Sequence, residues 1–553
     1  LASNFNKYMN KYFKNILLVI VMITLPISAC KNQLDIRNPN NPTTAVLKTE
    51  DAMKRLAMSV YAVDNSSSFE GGLMSFRFMW IAMANHEIMG DALYIPWGNF
   101  AWRWMNQTTQ IIIPNTPTNV ISTPPVGGSQ PQELTNRNSR AFQDDNGFLH
   151  EWQVCYFINN TCNLMLDNVD DATFSGDAAS KRNIIKAWAR FWKGYAYSRI
   201  GSMYSGGLIL NTAGQTQSSY VDNNTILAEA TSQFDQAIAI LNTLPPASNS
   251  DINNILSAAI PDFIRGSNLP TPASMIRAAN SMKARNLMVN KRVSGTNAMT
   301  AADWNQVLTL ANNGVQETDF VFFGWLDGTF FTSTSVPYRT QVGWHFPSQR
   351  LIQDFQPGDA RRARYLIEYT DPADWYVNER NRGIQFGVTA DFNDSDIASI
   401  TPLRAKTYFT PTYEENQLML AEAKIRTNQV EQGLAHIDVV RNFQTAGLPA
   451  TVGTGLNQQQ ALEQLRSERR IGLLLRGLAF YDARRWGVND PISAGGGRQN
   501  AHVVVPGNLI GGGPAQLRTN CTIEYNYLNY FGVPANELDF NRPTSGFANT
   551  TPR

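Results

Sequence analysis

Tyr94, Trp97, Phe100, Trp102 and Trp104 fall within eleven residues of Gly- and Pro-punctuated sequence that shows no helical period. Flat rings exposed in such a stretch can stack on the apolar C–H faces of sugars, while amides and carboxylates bond the hydroxyls. Asn85, Asn99 and Asn106 stand nearby as hydroxyl partners. If the stretch is a strand, the alternation of Phe100, Trp102 and Trp104 puts all three rings on one face, a common way to build a core. A second group, Trp325, Phe330, Phe331, Trp344 and Trp375 with Asp327, occupies another irregular region. From the two groups, Tyr94, Trp97, Trp102, Trp104, Trp325 and Trp344 are the candidate ligand-binding residues. Trp152, Trp188, Trp192, Trp304 and Trp486 sit at helical spacing and are expected in the scaffold.

Catalytic patterns are not found. The histidines (His86, His150, His345, His436, His502) form no His-x-x-x-His pair, and there is no Gly-x-Ser-x-Gly elbow. Glu414 and Glu415 are adjacent on a helical stretch and point apart, whereas two-carboxylate glycoside chemistry needs groups that face one another. Cys155 and Cys162 are seven apart in a helical pattern, about 10 Å at 1.5 Å per residue. That exceeds the ~7 Å limit for a disulfide. With no His or Cys partner they do not read as a zinc pair either, and buried free thiols are expected. No catalytic residue, cofactor or metal is assigned.

The first thirty residues read as an address. Lys11 and Lys14 form a positive start, and 16–26 an apolar run of signal-peptide length that ends in Leu-Pro-Ile-Ser-Ala-Cys. Small residues before Cys30 resemble a lipoprotein cleavage box, so 1–29 is expected to be a signal peptide starting at Met9, with lipid carried on Cys30. Residues 30–49 form a Pro/Asn-rich tether. No later stretch has eighteen consecutive apolar residues.

The remaining sequence must position the aromatics. It is 43% hydrophobic, enough for a large core, and only 16% charged, against about 25% on average. Lys and Arg number 46 against 45 Asp and Glu, so no basic footprint suggests nucleic acid. Helical periods appear at 50–63, 148–169, 179–204, 226–244, 274–293, 301–314, 412–427, 430–444 and 457–475. Pairing of these helices invites a tetratricopeptide test: Ala421 at position 8 places Leu420 at 7, Gly433 at 20, Ile437 at 24 and Val440 at 27. All suit a close helical hairpin. Residues 111–136 read as a long loop, and 487–553 as a Gly/Asn/Pro-rich tail wrapping the surface.

Two blocks carry a family resemblance. Residues 418–449, LMLAEAKIRTNQVEQGLAHIDVVRNFQTAGLP, and 468–487, ERRIGLLLRGLAFYDARRWG, resemble signature segments of the SusD/RagB family of outer-membrane nutrient-binding lipoproteins. The Cys30-Lys31-Asn32-Gln33-Leu34-Asp35 start fits as well, and 186–201 and 353–362 fit weaker blocks. Gly472 and Arg476 depart from the pattern, standing where the family usually has Glu. The resemblance implies a mainly α fold: a tetratricopeptide-like superhelix of about four helix pairs with a packed irregular lobe carrying the ligand site. Helical-repeat segments are expected at about 148–316 and 411–486 of a body spanning 50–553. The lobe is expected at about 64–147, 317–410 and 487–553. It further implies a surface-exposed, lipid-anchored outer-membrane protein that captures oligo- or polysaccharide and delivers it to a SusC-like TonB-dependent transporter. The alternatives are a peptide-binding member of the same scaffold, or a helical-repeat assembly scaffold without ligand. Glu468, Arg469, Arg470 and Arg485 are expected to be structural, since they flank apolar helix-forming runs.

Overall fold

Helices form where the periods place them, and most begin at a residue able to cap them. The computed structural model describes residues 46–61, 73–96, 98–115, 120–122, 127–325, 345–377, 387–399, 404–544, 547 and 549. Its principal helices are α1 (Glu50–Tyr61), α2 (Met83–Met89), α3 (Leu149–Asn168) and α4 (Ala178–Met203). These are followed by α5 (Asn223–Leu241), α6 (Ser250–Ala259), α7 (Pro272–Val289) and α8 (Ala301–Asn312). The last four are α9 (Tyr413–Arg426), α10 (Val430–Phe443), α11 (Gln458–Gly472) and α12 (Ala479–Arg485). Asp177, Asp222, Asn249 and Thr412 accept a backbone N–H of the first turn of α4, α5, α6 and α9. Reciprocal capping boxes open α7, α8 and α11. Each such cap contributes about 1 kcal/mol against early fraying.

Neighbouring helices stack in sequence, α3 on α4, α4 on α5, α5 on α7, α7 on α8, α8 on α9, α9 on α10, and α11 on both α9 and α10. The fold is the mainly helical, tetratricopeptide-like one expected. Gly433 shows why the small residue is required: a Cβ there would lie 2.7 Å from the Ala421 carbonyl oxygen and 2.5 Å from Ile425 Cγ1. Positions 8 and 20 of the repeat pattern are therefore in backbone contact. Gly194 of α4 faces the Phe234 ring of α5 in the same way, 2.9 Å from an ideal Cβ.

The remaining chain is not only loop. Arg498–Val505 and Gln516–Glu524 form the two central-to-edge strands of a four-stranded antiparallel sheet, continued by Gln110–Ile112 and Val120–Ser122. The tail thus builds a sheet with the early part of the chain rather than merely wrapping it, and 111–136, read as loop, supplies two strands and the helix Gln130–Arg137. α6 was also missed. Its Ile252, Ile255, Leu256 and Ala259 are buried at helical spacing, but the helix is short and lies between prolines.

Stacks of buried ion pairs lock the signature block to its surroundings. Glu468 accepts from Arg361 Nη2 at 3.1 Å and from Arg441 Nε at 3.0 Å. Arg485 donates to Asp482 at 2.7 Å and to Glu422 at 2.9 and 2.6 Å, and Arg469 bonds Asp482 at 2.8 Å. Arg470 pairs with Asp354 and donates to the Gly90 and Asp91 carbonyls at 2.8 Å, tying α11 to the segment after α2. All four charged residues singled out in the sequence are internal ties.

One of these pairs sets an acid sensitivity. Burial alone would raise the Glu422 carboxyl, but the Arg485 guanidinium outweighs it and holds the group at about 2, against an ordinary 4.5. The unfolded chain then binds the proton more tightly, so this stabilisation is complete above pH 4.5 and is lost as pH falls toward 2. In a thermal-denaturation series, Glu422→Gln is expected to melt lower than the parent at neutral pH and to lose less across that acid window. An unchanged acid slope would contradict the assignment.

Candidate functional site

The three candidate ligand-binding aromatics whose side chains are described are enclosed. Trp102 is 0% exposed. Its ring lies edge-on to Phe100, Trp80 and His345, with centroids at 5.0, 5.4 and 5.1 Å. Tyr94 is buried between Phe346 and Tyr376, at 6.4 and 6.3 Å. Trp104 is nearly buried, with guanidinium carbons of Arg103 and Arg137 at 3.9 and 4.2 Å from its ring centroid. No strand face aligns the three alternating rings. Phe100 and Ala101 take left-handed backbone angles (φ 56° and 61°), and the chain turns into the short helix Trp102–Met105. That reversal folds Phe100 back against Trp102 instead of placing them in a row.

Asn85 is buried, Asn99 is exposed, and Asn106 is committed to the carbonyls of Ile95 and Trp102 at 2.6 and 2.8 Å. Trp325 ends the strand Phe323–Trp325, opposite Lys406 in the antiparallel pair with Lys406–Tyr408. Trp97, Trp344, Phe330, Phe331, Asp327 and Cys30 lie outside the described residues. Trp375 is half-buried and donates from its indole to the Tyr369 carbonyl at 3.0 Å. The helical tryptophans Trp152, Trp188, Trp192 and Trp304 are buried in the scaffold as expected.

The open aromatic surface lies elsewhere. A cleft of about 600 Å³ sits where the strand pair 323–325 and 406–408 meets the start of α9 and the end of α10. Phe320, Phe323, Tyr408, Tyr413 and Phe443 are aromatic residues of its lining, and Asn268, Gln316 and Lys406 polar ones. Phe443 is 46% exposed because it falls off the buried Leu434–Ile437–Val440 face of α10. Its ring meets Tyr413 edge-on at 5.4 Å, so the two form a fixed aromatic corner. Tyr408 and Phe323 lie 6.1 Å apart on the floor.

A second compartment of about 200 Å³ continues from the first, sharing Lys406, Tyr408, Glu414 and Phe443 as the wall between them. Arg476 lines the second compartment and braces this wall from that side. It caps the Tyr408 ring at 4.5 Å, and donates to the Glu414 carboxylate at 2.6 Å and to the Thr412 hydroxyl. Burial would raise Glu414, yet the Arg476 charge holds its carboxyl below the ordinary value. Burial also lowers the Lys406 ammonium, which lies 4.6 Å above the Phe323 ring. Glu415 points the other way, to Arg285 at 2.7 Å, so the adjacent carboxylates diverge.

This arrangement can hold a polar ligand by ring faces and hydrogen bonds. Sequence reasoning missed it because its rings come from four separate segments, and Tyr413 and Phe443 sit on helices where aromatics usually pack inward. The legible signal was Phe443, an aromatic off its helix's apolar face. Among the described residues no group of three or more His, Cys, Asp or Glu could hold a metal ion, and no helix is long and apolar enough to cross a membrane.

Residues 413–548 match the SusD family. No curated protein matches the chain. A SusD superfamily protein from Parabacteroides distasonis superposes with a TM-score of 0.54 at 14% identity, covering 90% of this chain and 99% of that one. A SusD-like protein from Bacteroides fragilis gives 0.53 at 13% identity, covering 92% and 99%. A structure solved with xylogluco-oligosaccharide gives 0.54 at 12% identity, covering 90% and 100%. At these identities the likeness establishes the fold.

Proposed function

We propose that this chain, a SusD-family protein by residues 413–548 and by its fold, is a non-catalytic glycan-binding lipoprotein of the bacterial outer-membrane surface. It captures oligo- or polysaccharide and hands it to a TonB-dependent transporter of the SusC type. The observation that carries the reading is the cleft at Tyr413 and Phe443, with rings for sugar faces and amides for hydroxyls, on a fold shared with a structure solved with xylogluco-oligosaccharide. Non-catalytic binding fits the way two carboxylates of the cleft are engaged, Glu414 by Arg476 and Asp319 by Arg277. A general acid or nucleophile must instead be available to the glycosidic bond.

The test is a panel of oligosaccharides and peptides with sugar release followed in parallel. Binding to at least one glycan, no binding to peptides and no released sugar is the expected result. Release of reducing ends would make the chain an enzyme, and peptide binding alone would move it to the other branch of the scaffold.

Lipid attachment at Cys30 supplies the location. Two or more acyl chains give stable anchoring, at about 0.8 kcal/mol per buried CH₂. Cys30→Ser, expressed with its leader, is expected to fold normally but leave the outer-membrane fraction. Retention of that variant in membranes lacking a partner transporter would contradict the anchor.

A further inference from the structure

We propose that the cleft selects uncharged oligosaccharide and discriminates against uronic-acid-bearing or sulfated glycan; this rests on its reading as a glycan site. The two compartments are lined by four cations, Arg265, Arg364, Lys406 and Arg476. They are matched by four carboxylates, Glu317, Asp319, Asp396 and Glu414. Three of the cations and three of the carboxylates are also engaged locally. Arg476 is held by Glu414 at 2.6 Å, Arg265 is paired with Asp262, and Arg364 lies 4.0 Å from Asp396. Asp319 in turn accepts from Arg277 at 2.7 Å. Lys406 lies in the field of Asp396 and over the face of Phe323.

An anionic sugar therefore meets no surplus positive charge. To gain Arg476 it must displace Glu414, whose side chain is only 9% exposed and would be left buried without its counter-ion. Without that displacement, the ligand's carboxylate approaches Glu414 as a like charge, an arrangement that costs several kcal/mol across an interface. A neutral hydroxyl has neither difficulty. It can donate to the outer carboxylate lone pairs, accept from Lys406 or an amide, and leave every pair intact. The rings of Tyr413 and Phe443 then act on the sugar's C–H face without electrostatic cost.

Calorimetry on the full chain would use two sets of length-matched probes, neutral (xylogluco-, cello-, malto- and manno-oligosaccharides) and anionic (oligogalacturonides, alginate and heparin oligomers). Each set is titrated at ~50 and ~500 mM salt. A neutral member is expected to bind with an affinity that hardly changes with salt, and every anionic member to bind roughly tenfold or more weakly. Glu414→Gln, which frees Arg476 while keeping the shape, is expected to narrow that gap. An anionic glycan that binds tightest, weakens with salt and is lost in Phe443→Ala would overturn this selectivity and leave the glycan site standing. Binding by no glycan in either set would overturn both.

Discussion

Glu468→Ala lowers the unfolding free energy by about 3–5 kcal/mol, as breaking a buried ion pair by removing one partner does. The carboxylate is 2% exposed and lies between Arg361 and Arg441. Its loss leaves Arg441 with Gln464 as a side-chain partner, and Arg361 with Asp359 and Gln444. Arg361 then keeps the Asp359 carboxylate, while Arg441 loses the carboxylate it is paired with in a site from which water is excluded. The expected readout is a clear fall in melting temperature and denaturation midpoint. A Glu468→Gln variant, which can still accept hydrogen bonds, should fall by less. An alanine variant as stable as the parent would show that the network is not a tie between the helices and the segment at 359–361.

Trp102→Ala should be of similar size, about 3–5 kcal/mol, the usual cost of emptying a buried tryptophan site. Its ring is 0% exposed and makes edge-on contacts with Trp80, Phe100 and His345. Edge-to-face contacts add about 0.5–1.5 kcal/mol each beyond burial. A ligand-contacting ring would behave oppositely, with lost binding and an unchanged melt. Melting and glycan binding measured on the same variant separate the two roles, and an unaltered melting curve would return Trp102 to the list of ligand contacts.

The helical framework could be read from the sequence because its periods are long and its punctuation is local. The Pro245-Pro246 stop and the small residue Gly433 each act over a few positions. The sheet could not be read in the same way. Gln110–Ile112 pairs with a strand more than four hundred residues later, and nothing local announces that partner. Which of the rings at 94–104 face water could not be read for a related reason. Density of tryptophan between 94 and 104 signals a place where large rings are needed, but not whether they face water. Left-handed backbone at Phe100 and Ala101 turned that density into core. The exposed corner instead joins Tyr413 at the start of α9 to Phe443 at the end of α10, two residues thirty positions apart that only the hairpin brings together.

The most direct measurement is the affinity of Phe443→Ala for a glycan that the parent chain binds, with melting temperature recorded on the same samples. Phe443 is 46% exposed, so its removal should leave the fold almost untouched. Loss of a half-covered ring from a sugar face corresponds to about 1–2 kcal/mol, a weakening of roughly five- to thirtyfold. That drop at constant stability is the predicted result. Undiminished affinity in Phe443→Ala and in Tyr413→Ala, with both variants folded, would contradict the assignment of this cleft as the glycan site.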